Sequence, residues 1–119
     1  MAEVLTIGEP MGLFVAQEVA PLKDAEHFTR LVCGAEVNFS IGLSRLGHNA
    51  AYISRVGSDP IGQHICDFLR ESGIETQYIT EDPKNLTGMQ LKEKVADGSD
   101  PFVQNYRRHT AFSHFDPAD

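Results

Sequence analysis

The sequence predicts an α/β fold in which parallel strands alternate with helices. Short apolar runs and amphipathic helical segments follow one another as strand, helix, strand, helix and strand in the first two-thirds of the chain. That order is typical of a parallel sheet with right-handed crossovers. After Thr87 the pattern changes to alternating apolar and polar residues, which predicts a hairpin outside that sheet. The 119 residues suffice for one modest domain.

The N-terminal third is predicted to supply strands. Val4–Ile7 is an apolar run closed by Gly8, and we expect it to form a central strand covered on both faces. Residues 13–16 are a candidate second strand. The polar stretch at residues 17–30, which Pro21 interrupts, indicates a loop and an edge strand.

A small-residue turn at Cys33 and Gly34 is predicted to open the first helix, which Gly47 ends. Gly34 lets the backbone bend and a ligand approach, and the start of the helix points free N–H groups outward. Asn38, in the first turn, offers a donor and an acceptor to a polyhydroxylated ligand. On spacing alone, a buried helix opened by a loop glycine fits the stretch equally well.

The spacing of apolar residues predicts the packing faces of both helices. In the first helix the stripe at i, i+4 and i+7 consists of Phe39, Leu43 and Leu46. A strand at residues 51–56 follows, and a second helix begins with Asp59 as N-cap and Pro60 as the first helical residue. Gly73 ends this helix. Its apolar stripe consists of Ile61, Ile65, Phe68 and Leu69.

The remaining strands are shorter. One is predicted at residues 77–79, and Glu81 and Asp82 after it are interpreted as a solvated loop. Residues 89–95 and 102–107, joined by a turn that contains Asp-Gly, predict a hairpin set like a flap over one edge of the parallel sheet.

Composition argues against several classes of partner. Seventeen acidic residues against ten basic ones give a net charge of −7, which disfavours nucleic acid and anionic membrane surfaces. No apolar run approaches the ~18 residues of a membrane span, and the N-terminus lacks the pattern of a signal peptide. Cys33 and Cys66 match no zinc or redox spacing and indicate buried thiols. We therefore expect a cytoplasmic protein with no nucleic-acid or membrane partner.

The common phosphate and metal motifs are absent or incomplete. Residues 42–49 approach a phosphate-binding loop, but His48 replaces its lysine and the segment lies in and just after a helix. No histidine is placed for metal binding, and all five are interpreted as surface residues. Arg107 ends the predicted hairpin. Its guanidinium is suited to clamp a carboxylate or phosphate, and a solvated strand end is an equally good interpretation.

Several segments in combination resemble the N-terminal signature of the ribokinase-like sugar kinases, the PfkB family. That family carries a Gly-Gly-Ala-x-x-Asn turn, a helix ending in Arg-Leu-Gly and a Gly-x-Asp-x-x-Gly segment. The corresponding segments here are residues 33–38, 45–47 and 57–62. Three more segments are similar to the 2-keto-3-deoxygluconate kinase/fructokinase branch, namely residues 8–11, 87–88 and 106–107.

The resemblance implies a fold and an activity. Residues 1–119 would be the N-terminal part of a ribokinase-like α/β/α sandwich with a β-hairpin lid. Lid strands would lie at about 9–32 and 87–108, with the parallel sheet and helices elsewhere. The intact protein would transfer the γ-phosphate of ATP, with Mg²⁺, to a hydroxyl of a sugar or sugar acid such as 2-keto-3-deoxygluconate.

A sugar pocket between the sheet edge and the lid is also implied. Gly34 and Asn38 would contact sugar hydroxyls, and Arg107 would meet the acid or keto end. Gln90 and Asn105 stand where the branch has aromatic residues, so the substrate stays open between a sugar acid, fructose and another hexose. The implied substrate-binding set is Gly34, Asn38, Glu9, Gln90, Asn105 and Arg107.

Family members are much longer, and their late Gly-Ala-Gly-Asp motif, which supplies the anion hole and catalytic base, has no match here. This chain alone is therefore expected to be inactive and to bind no cofactor. The resemblance also implies a homodimer formed through the lid. Two alternatives stay open: a non-catalytic sugar-binding or dimerisation module, and an unrelated α/β binding domain.

Overall fold

The computed structural model describes residues 3–115, which form a parallel sheet, a mixed sheet and two α-helices. The helices are α1 (Ala35–Arg45) and α2 (Pro60–Glu71). The strands are β1 (Val4–Ile7), β2 (Met11–Ala16), β3 (Phe28–Cys33), β4 (Ala50–Gly57), β5 (Ile79–Asp82), β6 (Met89–Lys92) and β7 (Val103–Tyr106).

The two sheets differ in strand direction. In the parallel sheet the order is β1-β4-β5, and both pairs are parallel. In the mixed sheet the order is β3-β2-β6-β7, with antiparallel hairpins on each side of a parallel β2–β6 pair. The predicted α/β class and the hairpin are confirmed. The hairpin strands are shorter than predicted, and the hairpin joins β2 and β3 in one sheet.

The hydrophobic core lies between β4 and the two helices. Tyr52 and Val56 of β4 are buried, and Ile65 and Leu69 of α2 pack against them with no exposed surface. Ile61 and Phe68 are partly buried against the same cluster, so the predicted face of α2 is confirmed. Within residues 3–115, neither helix is long and apolar enough to cross a membrane.

Helix α1 buries a different face from the predicted one. Phe39 is 57% exposed and Leu46 is 77% exposed, whereas Val37 and Ser40 are buried. The Ser40 hydroxyl donates a hydrogen bond to Thr6 Oγ1 at 3.2 Å. The predicted stripe is wrong because α1 turns Val37, Ser40 and the partly buried Ile41 inward instead.

Strand β1 is not covered on both faces by the described residues, so that prediction is wrong for residues 3–115. Thr6 faces α1, and its neighbours Leu5 and Ile7 point to the opposite side because side chains alternate along a strand. Leu5 is 59% exposed and Ile7 is 58% exposed. Both helices lie on the Thr6 side, and β1 pairs only with β4 in the described part of the chain.

The end of β5 also differs from the prediction. Glu81 and Asp82 belong to the strand, and Asp82 is 3% exposed. Its carboxylate accepts hydrogen bonds from Asn85 Nδ2 at 2.8 Å, Lys84 N at 2.8 Å and Arg55 Nε at 3.0 Å. Hydrogen bonds to the carboxylate, above all the one from the Asn85 amide, hold the pKa of Asp82 well below its usual range. The turn that follows Asp82 supplies hydrogen-bond donors, and these compensate for the burial of its carboxylate.

The predicted helix start at Asp116 and Pro117 lies outside the described residues.

Asp59 joins the start of α2 to the segment that leads into β6. Its Oδ1 accepts from Gly62 N at 2.8 Å, which confirms the predicted N-cap. The same carboxylate accepts from the Thr87 hydroxyl at 2.9 Å and from Thr87 N at 3.0 Å. Thr87 Oγ1 in turn accepts from Gly57 N at 2.8 Å. One carboxylate therefore fixes α2 relative to the start of the mixed-sheet hairpin.

We predict that Asp59→Ala lowers the free energy of unfolding by about 2–4 kcal/mol. An N-cap contributes about 1 kcal/mol, and a buried donor left unpaired costs about 1–3 kcal/mol. The matched control is Asp67→Ala, which removes an exposed carboxylate paired with Arg70 at 3.0 Å and should change stability by less than about 1 kcal/mol. Urea unfolding measures both, and equal losses would contradict the assignment.

Candidate functional site

Four chain segments connect the parallel-sheet layer with the mixed sheet, and they meet around one carboxylate. Residues 8–10 lead from β1 to β2, Gly34 leads from β3 to α1, and residues 83–88 lead from β5 to β6. Residues 107–111 leave β7 and return to the parallel sheet. The side chain of Glu9, which is 7% exposed, lies where these segments converge.

Both oxygens of the Glu9 carboxylate have partners. Oε1 lies 2.9 Å from Arg107 Nη2, and Oε2 accepts a hydrogen bond from the Thr110 hydroxyl at 2.7 Å. On the opposite side, a Cβ atom on Gly88 would lie 2.7 Å from Glu9 Oε2. Only glycine leaves room for the carboxylate at that position.

Gly34 lets the start of α1 approach Glu9. It is the N-cap residue with φ 134°, and no side chain caps the helix. A Cβ atom on Gly34 would lie 3.1 Å from the carbonyl oxygen of Glu9. The exposed side chain of Asn38 lies one turn further along, and Asn38 N donates to Gly34 O at 3.2 Å. Gly34 has no side chain with which to cap the first N–H groups of α1.

A row of polar side chains crosses the mixed sheet. Gln90 and Asn105 are directly opposite each other on β6 and β7, and Gln90 Nε2 donates to Asn105 Oδ1 at 2.5 Å. The Cys33 thiol donates to Gln90 Oε1 at 3.5 Å. Burial raises the pKa of Cys33, while the nearby charge of Arg107 opposes that shift and Glu9 adds to it.

The structure brings most of the predicted site residues into two adjoining groups. Glu9 contacts Arg107 directly and packs against Gly34 through its backbone, and Gln90 contacts Asn105. Asn38 lies at the exposed start of α1. The role of these residues in binding stays a prediction.

Sequence reasoning missed Thr110. Thr110 is buried and holds Glu9, although it lies 101 residues away in the chain. A single threonine in a polar tail has no pattern that would reveal this.

A cavity of about 760 Å³ adjoins Arg107 and Asn105. The other four predicted residues lie outside its lining. Apart from the phenol of Tyr106, the titratable groups that line it are basic, namely Lys84, Arg107, Arg108 and His109. Arg107 is paired with Glu9, and the remaining basic groups favour an anionic ligand. Among residues 3–115, no three His, Cys, Asp or Glu side chains cluster in a way that would hold a metal ion.

Comparison with known proteins decides the family. The family model described as "pfkB family carbohydrate kinase" matches residues 1–118. The chain belongs to the pfkB family of carbohydrate kinases. The resemblance inferred from the sequence is therefore confirmed, and with it the ribokinase-like fold class.

Individual relatives agree with this membership. The chain is 38% identical over 112 residues to 2-dehydro-3-deoxygluconokinase of Bacillus subtilis (strain 168), covering 93% of this chain and 34% of the relative. A PfkB protein from Polaromonas sp. JS666 superposes with a TM-score of 0.92 at 39% identity, over 97% of this chain and 38% of that one.

A third relative is a sugar kinase from Pyrococcus horikoshii solved in complex with ATP. It superposes with a TM-score of 0.82 at 30% identity, over 91% of this chain and 35% of that one. The chain therefore spans about a third of the length of the pfkB kinases it matches.

We predict that Gly34→Ala and Gly42→Ala have opposite effects on stability. Gly34→Ala should lower the free energy of unfolding by about 1–3 kcal/mol, since its backbone conformation is unfavourable for alanine and the new Cβ meets Glu9 O. Gly42 lies inside α1 with no atom within 4 Å of an added Cβ, so alanine should stabilise the helix by about 0.5–1 kcal/mol. Urea unfolding gives both values, and changes of the same sign would contradict the account.

Proposed function

We propose that the intact protein transfers the γ-phosphate of ATP to a hydroxyl of a sugar acid, and that this chain is the sugar-binding part. The proposed substrate is 2-keto-3-deoxygluconate, also named 2-dehydro-3-deoxygluconate. Membership of a carbohydrate-kinase family supports the reaction class, and the name of the Bacillus subtilis relative supports the substrate. The observation that carries the sugar acid is Arg107, held by Glu9 beside a cavity with a basic lining.

Each proposed sugar contact uses a group that the structure leaves available. The Arg107 side chain is 52% exposed, so several of its five N–H donors are free to bind the carboxylate of the sugar. The exposed amide of Asn38 and the uncapped start of α1 at Gly34 are suited to sugar hydroxyls. Gln90 and Asn105 offer further amide groups from the mixed sheet. Glu9 belongs to the proposed set as the partner of Arg107, and its own side chain is 7% exposed.

We assign the role of lid to the mixed sheet, with strands within about residues 9–32 and 87–108. A lid over the sugar would exclude water from the reacting hydroxyl. We further propose a homodimer formed through this sheet, as the family resemblance implies. Its large exposed apolar side chains are Leu31 and Val103 on one face, exposed by 47% and 36%, and Tyr106 on the other, exposed by 50%, and such side chains are typical of interaction surfaces.

ATP and Mg²⁺ are proposed as cofactors of the intact protein only. Phosphoryl transfer requires a phosphate cradle, a metal and a base that positions the attacking hydroxyl. We assign these groups to the two-thirds of the pfkB kinases that this chain does not span. The chain by itself would bind the sugar without phosphorylating it, in the cytoplasm.

We predict that Arg107→Ala in the full-length protein raises the KM for 2-keto-3-deoxygluconate roughly 10–100-fold, the value of a hydrogen bond between charged groups. Asn38→Ala should raise KM by a smaller factor. Arg107→Ala should affect fructose less, because fructose has no carboxylate. Steady-state kinetics with both sugars measure these effects.

The matched control is Arg45→Ala, which removes an exposed arginine from the last turn of α1 and should leave both KM values unchanged. An unchanged KM in Arg107→Ala and Asn38→Ala would sink the site assignment. Sugar binding by the full-length protein without phosphorylation would instead indicate the non-catalytic module.

A further inference from the structure

We propose that Glu9 is a positioning residue, which fixes Arg107 and the angle between the two sheets and does not itself contact the sugar. This inference rests on the proposed function of Arg107. It assigns Glu9 an indirect part in sugar binding, through the residue that it holds.

Each oxygen of the Glu9 carboxylate already has a partner, and the side chain is buried. Arg107 lies 2.9 Å from one oxygen and Thr110 donates to the other at 2.7 Å. The side chain is 7% exposed, whereas that of Arg107 is 52% exposed. In this ion pair the carboxylate is therefore buried, whereas the guanidinium is half-exposed and accessible to a ligand.

Contacts at the Glu9 oxygens restrict the rotation of the carboxylate. Thr110 holds Oε2, and the next residue is tied to the segment between β5 and β6 because Ala111 N donates to Leu86 O at 2.7 Å. Gly88 lies against the same oxygen without room for a side chain. Arg107 is thus attached to a carboxylate that is itself fixed.

The same contacts connect the two sheets. Glu9 belongs to the first connecting segment, its carbonyl oxygen meets Gly34 in the second, and its carboxylate meets Gly88 in the third and Arg107 and Thr110 in the fourth. A change in the angle between the sheets would have to break one or more of these contacts. Glu9 therefore couples the placement of the mixed sheet to the placement of Arg107.

The test is a double-mutant cycle between Glu9→Gln and Arg107→Ala in the full-length protein, read as KM for 2-keto-3-deoxygluconate. Glutamine keeps an acceptor for Thr110 but loses the charge that holds Arg107. We expect Glu9→Gln alone to raise KM roughly tenfold. In the Arg107→Ala background it should change KM by less than about twofold, because non-additivity is the mark of residues that act through one another.

Thr110→Val is the second variant, and it keeps the ion pair while removing the hydrogen bond that orients the carboxylate. We expect it to raise KM by a few fold and to add little to Glu9→Gln. The control Glu71→Gln removes a charge from an exposed position in the last turn of α2 and should leave KM unchanged. Thermal melting of every variant separates lost stability from lost sugar affinity, since a purely structural role would lower the melting temperature without the non-additive KM.

The outcomes distinguish this inference from the proposed function. Independent, multiplying effects of Glu9→Gln and Arg107→Ala would mean that Glu9 contacts the sugar directly, and would overturn the positioning role alone. A normal KM in Glu9→Gln or in Thr110→Val would do the same. A normal KM in Arg107→Ala would overturn the proposed function together with the inference.

Discussion

The ion pair between Glu9 and Arg107 is the interaction on which the arrangement of the two sheets depends. A buried carboxylate is costly unless it is paired and hydrogen-bonded, and here Arg107 and Thr110 meet that requirement together. Because both partners follow β7, the last strand of the mixed sheet is tied to the segment that leaves β1. The segments that follow β1 and β7 are thereby held at one point, and an arginine is left half-exposed beside a basic cavity.

A second carboxylate, that of Asp59, fixes the segment that connects β5 with β6. Asp59 caps α2 and binds Thr87 through both its hydroxyl and its backbone N–H. Asp82 holds the turn that precedes Thr87, since its carboxylate accepts hydrogen bonds from Asn85 and Lys84. The segment from β5 to β6 is thus fixed by hydrogen bonds to charged groups, which are stronger than those between neutral groups. In a chain with a net charge of −7, these acidic residues have structural partners and are not simply part of a solvated surface.

Local signals in the sequence predicted local structure well. Asp59 and Pro60 marked the start of α2, and the spacing of Ile65 and Leu69 predicted its buried face, because capping and amphipathicity depend on neighbouring residues. The exposed Phe39 was mispredicted, since the face that α1 buries depends on how closely the sheet approaches. The burial of Asp82 and the Glu9–Thr110 contact depend on long-range folding. The family signature led to the fold and to the candidate site residues, and it carried no information on Thr110.

The most direct measurement is a crystal structure of the full-length protein with 2-keto-3-deoxygluconate bound. The account predicts the sugar carboxylate within about 3 Å of the Arg107 guanidinium, with Glu9 still bound to Arg107 and Thr110 and out of contact with the sugar. A sugar seated away from Arg107, or hydrogen-bonded to the Glu9 carboxylate, would contradict it.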